Sequence, residues 1–132
     1  MVEPQNASCP KCSTVYKAED ATTKNINPTE VKSAVDNLIT ALTEANTSIV
    51  DSIQNIIPEA ENAYKQDGNK TIGPSMEQAC TDMTKDINKT INTINGWDIP
   101  GHAERLHDYY QNIYNTEAKT NLEKHMADKH QN

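Results

Sequence analysis

Apolar side chains in this chain recur at steps of three and four residues, and no segment alternates convincingly with a period of two. A step of three or four returns a side chain to the same helix face, whereas a half-buried strand needs alternation. Amphipathic helices are therefore expected and a sheet is not. The first run goes from Val31 through Leu38, Leu42, Ile49 and Ile53 to Ile57, with Lys32, Asp36, Asn37 and Glu44 on the opposite face. Its start is signalled by Asn27 as cap, Pro28 at the first helical position and Glu30 three residues after the cap. Pro58 is expected to end or kink this helix, because proline lacks the N–H that the ladder needs. From Pro28 to Ile57 it spans about 45 Å at ~1.5 Å per residue, so a bend near Asn46-Thr47-Ser48 is expected.

A second run, Met76, Ala79, Cys80, Met83, Ile87, Ile91 and Ile94, places a helix at about 74–95, stopped by Gly96. A third, Ala103, Leu106, Tyr110, Ile113, Tyr114, Ala118, Leu122 and Met126, places one at about 102–129. Trp97 falls in the connector, as a lid over one end. Residues 1–26 show no sustained period and read as an irregular arm, with a short helix around Ser13 to Asp20. The expected fold is all-α: an antiparallel bundle of three to five helices over residues 27–132, behind the arm.

Composition limits what such a bundle can bury. The chain has 132 residues, 35% of them apolar and none of them Phe. That suits one domain whose core is narrow stripes. Net charge is −7, and the lysines are scattered among Asp and Glu. No basic patch is present to bind nucleic acid or an anionic membrane. No apolar run approaches the ~20 residues of a membrane span. Four Asn-x-Ser/Thr sequons begin at Asn6, Asn46, Asn69 and Asn88 and are candidate glycan acceptors of a secreted protein. Met1 precedes a polar Val2-Glu3-Pro4-Gln5, which reads as a mature chain with an added Met.

Cys9, Cys12 and Cys80 allow one disulfide. The expectation is Cys80 with Cys9 or Cys12, a staple from arm to bundle, leaving one thiol free or available for a disulfide-linked dimer. Cys9-Pro-Lys-Cys12 resembles a redox or zinc half-site, but no second Cys pair completes it and no strand–helix context suits a thioredoxin-like centre. His102 and His107, like His125 and His130, stand five apart. Same-face neighbours on a helix stand three or four apart, so this spacing does not aim two rings at one metal. No metal or cofactor is expected. No His-Glu-x-x-His, phosphate loop or Gly-x-Ser-x-Gly is present, and no carboxylate pair stands out, so a non-enzymatic protein is expected.

The stripes carry the functional expectation. Flexible Met among Ile and Leu, without Phe, suits an adaptable cavity between helices. The expected function is secreted binding of a small hydrophobic ligand such as a fatty acid, lined by Leu38, Leu42, Met76, Met83, Ile87, Leu106, Tyr110, Ile113 and Tyr114. The alternative is a secreted protein-interaction module, an effector or surface antigen, using an exposed helix face.

The stretch from Val31 to Asp51, with Leu38-Ile-Thr-Ala-Leu-Thr43 and Thr47-Ser-Ile-Val-Asp51, resembles a helix of the fungal hydrophobic-surface-binding and cell-wall mannoprotein family. The segment Gly73-Pro-Ser-Met-Glu-Gln-Ala-Cys80 onward is similar to that family's next helix, and the resemblance runs from Asn27 to about Met126. The Cys set departs from the family's pattern. The resemblance implies a secreted helical bundle that holds fatty acids or other lipids, or coats hydrophobic surfaces.

Overall fold

The computed structural model describes residues 1–24, 26–65, 68 and 71–130. The chain is mostly helical, as the periodicity predicts: α1 is Pro28–Tyr64, α2 is Ile72–Gly96 and α3 is Ile99–Lys129. Against expectation there is also a small sheet, β1 (Ala7–Ser8) with β2 (Val15–Tyr16), followed by a 3-10 turn at Ala21–Lys24. The two strands pair antiparallel, Ala7 with Tyr16 and Ser8 with Val15. β2 occupies part of the stretch, Ser13 to Asp20, where a short helix was expected. Two residues per strand are too few to show alternation in the sequence.

The chain divides into two compact units: Met1–Ser33 with Ile99–Asn132, and Ala34–Asp98. The arm thus shares a unit with α3.

The second unit is a helical hairpin. Asn46 donates from Nδ2 to the Thr84 hydroxyl at 3.1 Å. The Cys80 thiol faces the Val50 carbonyl, and a Cβ on Gly73 would meet the Glu61 side chain. As the α1 partner advances from 46 to 61, the α2 partner retreats from 84 to 73, so the helices run antiparallel. The seam uses Ile39, Leu42, Asn46, Val50, Ile53 and Ile57 from α1 and Met76, Cys80, Met83, Ile87, Ile91 and Ile94 from α2, all buried or half-buried. Each helix gives one narrow stripe, as the apolar content predicted.

Pro58 does not end α1, which continues to Tyr64 and runs through Asn46-Thr47-Ser48 as helix. Proline removes one ladder bond and crowds the carbonyl four residues back. Ile57 and Ala60, on either side of it, are half-buried. The start of α1 is as predicted: Asn27 Oδ1 accepts from the Glu30 N–H at 3.3 Å.

The first unit is organised by α3, which contacts both strands and the 3-10 turn. Its buried face matches the predicted stripe in part: Ala118 is buried and Ala103, Ile113, Tyr114, Leu122 and Met126 are half-buried, but Leu106 and Tyr110 are exposed, and the polar His107 and Gln111 are buried beside the stripe. The reason lies in the arm, whose irregular backbone has N–H and C=O groups that no ladder satisfies. Polar side chains of α3 satisfy them instead. Asp108 accepts from the Val2 N–H and Asn115 from the Gln5 N–H, each at 2.8 Å. Asn115 Nδ2 donates to the Glu3 carbonyl at 3.0 Å. Gln111, fully buried, accepts from the Ala21 N–H and donates to the Glu19 carbonyl, each at 2.9 Å. Asp20 shapes the turn that presents Ala21, accepting from the Thr22 N–H and hydroxyl at 2.9 and 2.7 Å. Trp97, expected as a lid, is 56% exposed.

Candidate metal centre

The turn between β1 and β2 is Cys9-Pro10-Lys11-Cys12-Ser13-Thr14. Two backbone bonds close it: Ser13 N–H to the Cys9 carbonyl at 2.9 Å and Cys9 N–H to the Thr14 carbonyl at 2.8 Å. Ser13 takes φ 62° to make the closure. A side chain disfavours that left-handed conformation, so the turn holds strain. The result is a tight knuckle whose two thiols lie on one side.

The knuckle packs on the end of α3. His125 lies in the helix and His130 is the first residue beyond it. Nε2 of His125 lies 3.1 Å from Cys12 Sγ, and Nε2 of His130 lies 3.3 Å from it. The ligand atoms of Cys9, Cys12, His125 and His130 all lie within 4.8 Å of one another. In a tetrahedral zinc site with Zn–S of ~2.3 Å and Zn–N of ~2.05 Å, ligand atoms stand about 3.3–3.8 Å apart. The cluster therefore needs adjustment of about an ångström or less to close on such an ion.

The surroundings suit metal binding. Cys9 is 2% exposed, and Cys12 is exposed at the rim. The Thr14 hydroxyl, 3.2 Å from Cys12 Sγ, is the first cause holding that thiol down to about 5. His130, the Thr14 backbone and His125 add to it. The thiolate is the form that binds metal. Tyr16 of β2 packs its ring 5.7 Å from that of His125, and the two histidine rings are 5.3 Å apart. Such outer contacts fix a ligand's orientation.

Cys9-x-x-Cys12 with His125-x4-His130 is a Cys2His2 ligand set at ordinary spacings. The expected absence of a metal site rested on the lack of a second Cys pair and on the spacing of the histidines. That spacing argument assumes both rings ride one continuous helix. Here α3 stops at Lys129, and His130 reaches back from beyond its end.

Other expected site residues are dispersed. Of the nine apolar ligand candidates, Leu38, Leu42, Met76, Met83 and Ile87 belong to the hairpin unit and Leu106, Tyr110, Ile113 and Tyr114 to the other. Ile113, with Tyr109, Asn112, Thr116 and Glu117, lines an open groove of about 360 Å³ on α3. All three cysteines are free, so neither expected bridge from Cys80 is present. Cys80 is buried in the hairpin seam, whereas Cys9 and Cys12 meet histidines. Asn46 has its amide in the seam, bonded to Thr84. Asn6 and Asn88 are exposed. Asn69 lies outside the described residues.

Comparison with family models, with curated proteins and with solved structures finds no match to the chain.

Proposed function

We propose that this protein binds one zinc ion through Cys9, Cys12, His125 and His130, and that the ion is structural. One observation carries this reading: four side chains of zinc-ligand type, from two distant parts of the chain, converge within 4.8 Å. Four protein ligands fill a tetrahedral shell and leave no position for water or substrate, the mark of a structural rather than a catalytic zinc. The ion would bind the β1–β2 knuckle to the end of α3, closing the arm's far side as Gln111 and Asn115 close its near side. The chain then acts as a non-enzymatic scaffold: a metal-clipped unit from which α1 leads into a long helical hairpin. Two metal-bound thiolates suit a reducing compartment, where structural disulfides are rare.

The test is metal content of protein purified without chelators, followed by replacement with Co²⁺. One zinc per chain, and a cobalt form whose visible spectrum shows thiolate charge transfer and tetrahedral d–d bands, is the expected result. C12S and H130N should each lose the spectrum. Metal-free protein that fails to take up Co²⁺ would refute the reading.

A second reading rests on a different observation. Leu38, Ile49 and Ile56 on α1 are each about half exposed, at 46%, 47% and 54%. They lie on one face, with Leu42 and Ala45 between them at heptad intervals. Such a row favours an interaction role for the hairpin. Sedimentation of wild type against I49K tests it with a second copy as the partner. Concentration-dependent association abolished by the lysine supports the role, and monomer throughout argues against self-association.

A further inference from the structure

Resting on the zinc reading, we infer that the centre is a peroxide-responsive clip: oxidation joins Cys9 to Cys12 as a disulfide and expels the metal. Three features of the knuckle point to this. Cys12 is at the surface while Cys9 is buried 98% of the way, so an oxidant meets one sulfur first and the other waits beside it. The two Sγ atoms lie within 4.8 Å, on a turn of two intervening residues. No third thiol competes in this unit, because Cys80 belongs to the hairpin.

The chemistry balances with a peroxide as oxidant. The Cys12 thiolate attacks one peroxide oxygen and the O–O bond breaks, giving a sulfenic acid at Cys12 and a hydroxide that takes up a proton to become water. The Cys9 thiolate then attacks Cys12 Sγ. The S–S bond forms, the S–O bond breaks, and a second hydroxide leaves and is protonated to water. The two thiolates have lost two electrons in total and hydrogen peroxide has gained them. Two imidazoles remain of the four ligands, too few to hold the ion against solvent.

The structural consequence is local. The arm keeps its bonds to Asp108, Gln111 and Asn115, so residues 2–5 and 19–21 stay on α3. What is released is the knuckle and the last turn of α3, residues 125–130. The response would therefore free one end of the unit without unfolding it.

The experiment treats zinc-loaded, full-length protein with hydrogen peroxide at a small molar excess, followed by a chromogenic zinc chelator and intact mass. Expected are release of the whole zinc equivalent and a product lighter by two hydrogens, with both reversed by dithiothreitol and added zinc. Hydrogen exchange should rise at 7–16 and 125–130 and stay unchanged at 19–21. C80S should respond as wild type does. Zinc retained under peroxide, or zinc lost with oxygen adducts in place of the disulfide, would overturn the inference while leaving zinc binding intact. Protein that holds no zinc before peroxide is added would overturn both.

Discussion

Replacing Gln111 with Glu should disrupt the arm while barely changing side-chain volume. The Gln111 amide uses both ends: Oε1 accepts from the Ala21 N–H, and Nε2 donates to the Glu19 carbonyl and to Asn115 Oδ1 at 3.0 Å. A carboxylate keeps the first bond and loses the other two. It also sets an anionic oxygen against two acceptor oxygens in a fully buried position. One stranded carbonyl costs about 1–3 kcal/mol, and confronting it with a charge adds to that, so about 2–4 kcal/mol of the unit's stability should disappear. That is a large share of the ~5–15 kcal/mol that holds an ordinary domain together. The assay is thermal and denaturant unfolding at fixed zinc, with residue-level hydrogen exchange. Q111E should lose protection around Glu19, whose carbonyl it leaves facing a charge, whereas Q111L, which strands both the Ala21 N–H and the Glu19 carbonyl without adding charge, should lose protection at Ala21. A Q111E protein within about 0.5 kcal/mol of wild type, the usual range for a surface change, would refute the claim that this amide holds the arm.

Other residues yield sharper but smaller expectations. S13G should stabilise the knuckle by up to about 1 kcal/mol, since relief of the left-handed strain outweighs glycine's entropy, read as a higher melting temperature of the metal-free protein. N46L should raise hairpin stability by about 1 kcal/mol in denaturant titrations, because Asn46 Oδ1 is buried without a partner. Asp108 is held below the usual carboxylate range first by the Val2 N–H and then by His107. Its contribution to stability is therefore present above the unfolded carboxylate pKa, near ~3.9, and is lost as pH falls through the lower folded value. D108N should flatten that acid limb of the stability–pH curve.

The helices were legible because each repeats one signal many times: Asn27-Pro28 marks the start of α1 and the seam residues mark its face. Pro58 does not end α1, because a proline costs one ladder bond and the turns on either side keep theirs. The polar part of the inner face of α3 was illegible for a different reason. His107, Gln111 and Asn115 look like a solvated face, and only an irregular backbone laid against them makes burial favourable. The candidate metal centre lay between these cases. Both half-motifs stand plainly in the sequence at usable spacings, but a period-based reading evaluates His125 and His130 as points on an endless helix. It does not foresee that the helix stops between them. Nothing local, moreover, links a knuckle at residues 9–12 to a helix end at 125–130.

That separation also sets a schedule. His130 is polymerised 118 residues after Cys12, about 6–24 s later at ordinary rates of synthesis. Throughout that interval the knuckle is a pair of thiols with no imidazoles to complete it. A nascent chain can be mispaired, oxidised or stripped of a weakly held ion before its own ligands arrive. Under the zinc reading, clipping must wait until residue 130 has been made, and the yield of correctly clipped protein should depend on how reducing and how zinc-replete the surroundings are while the hairpin is still being made.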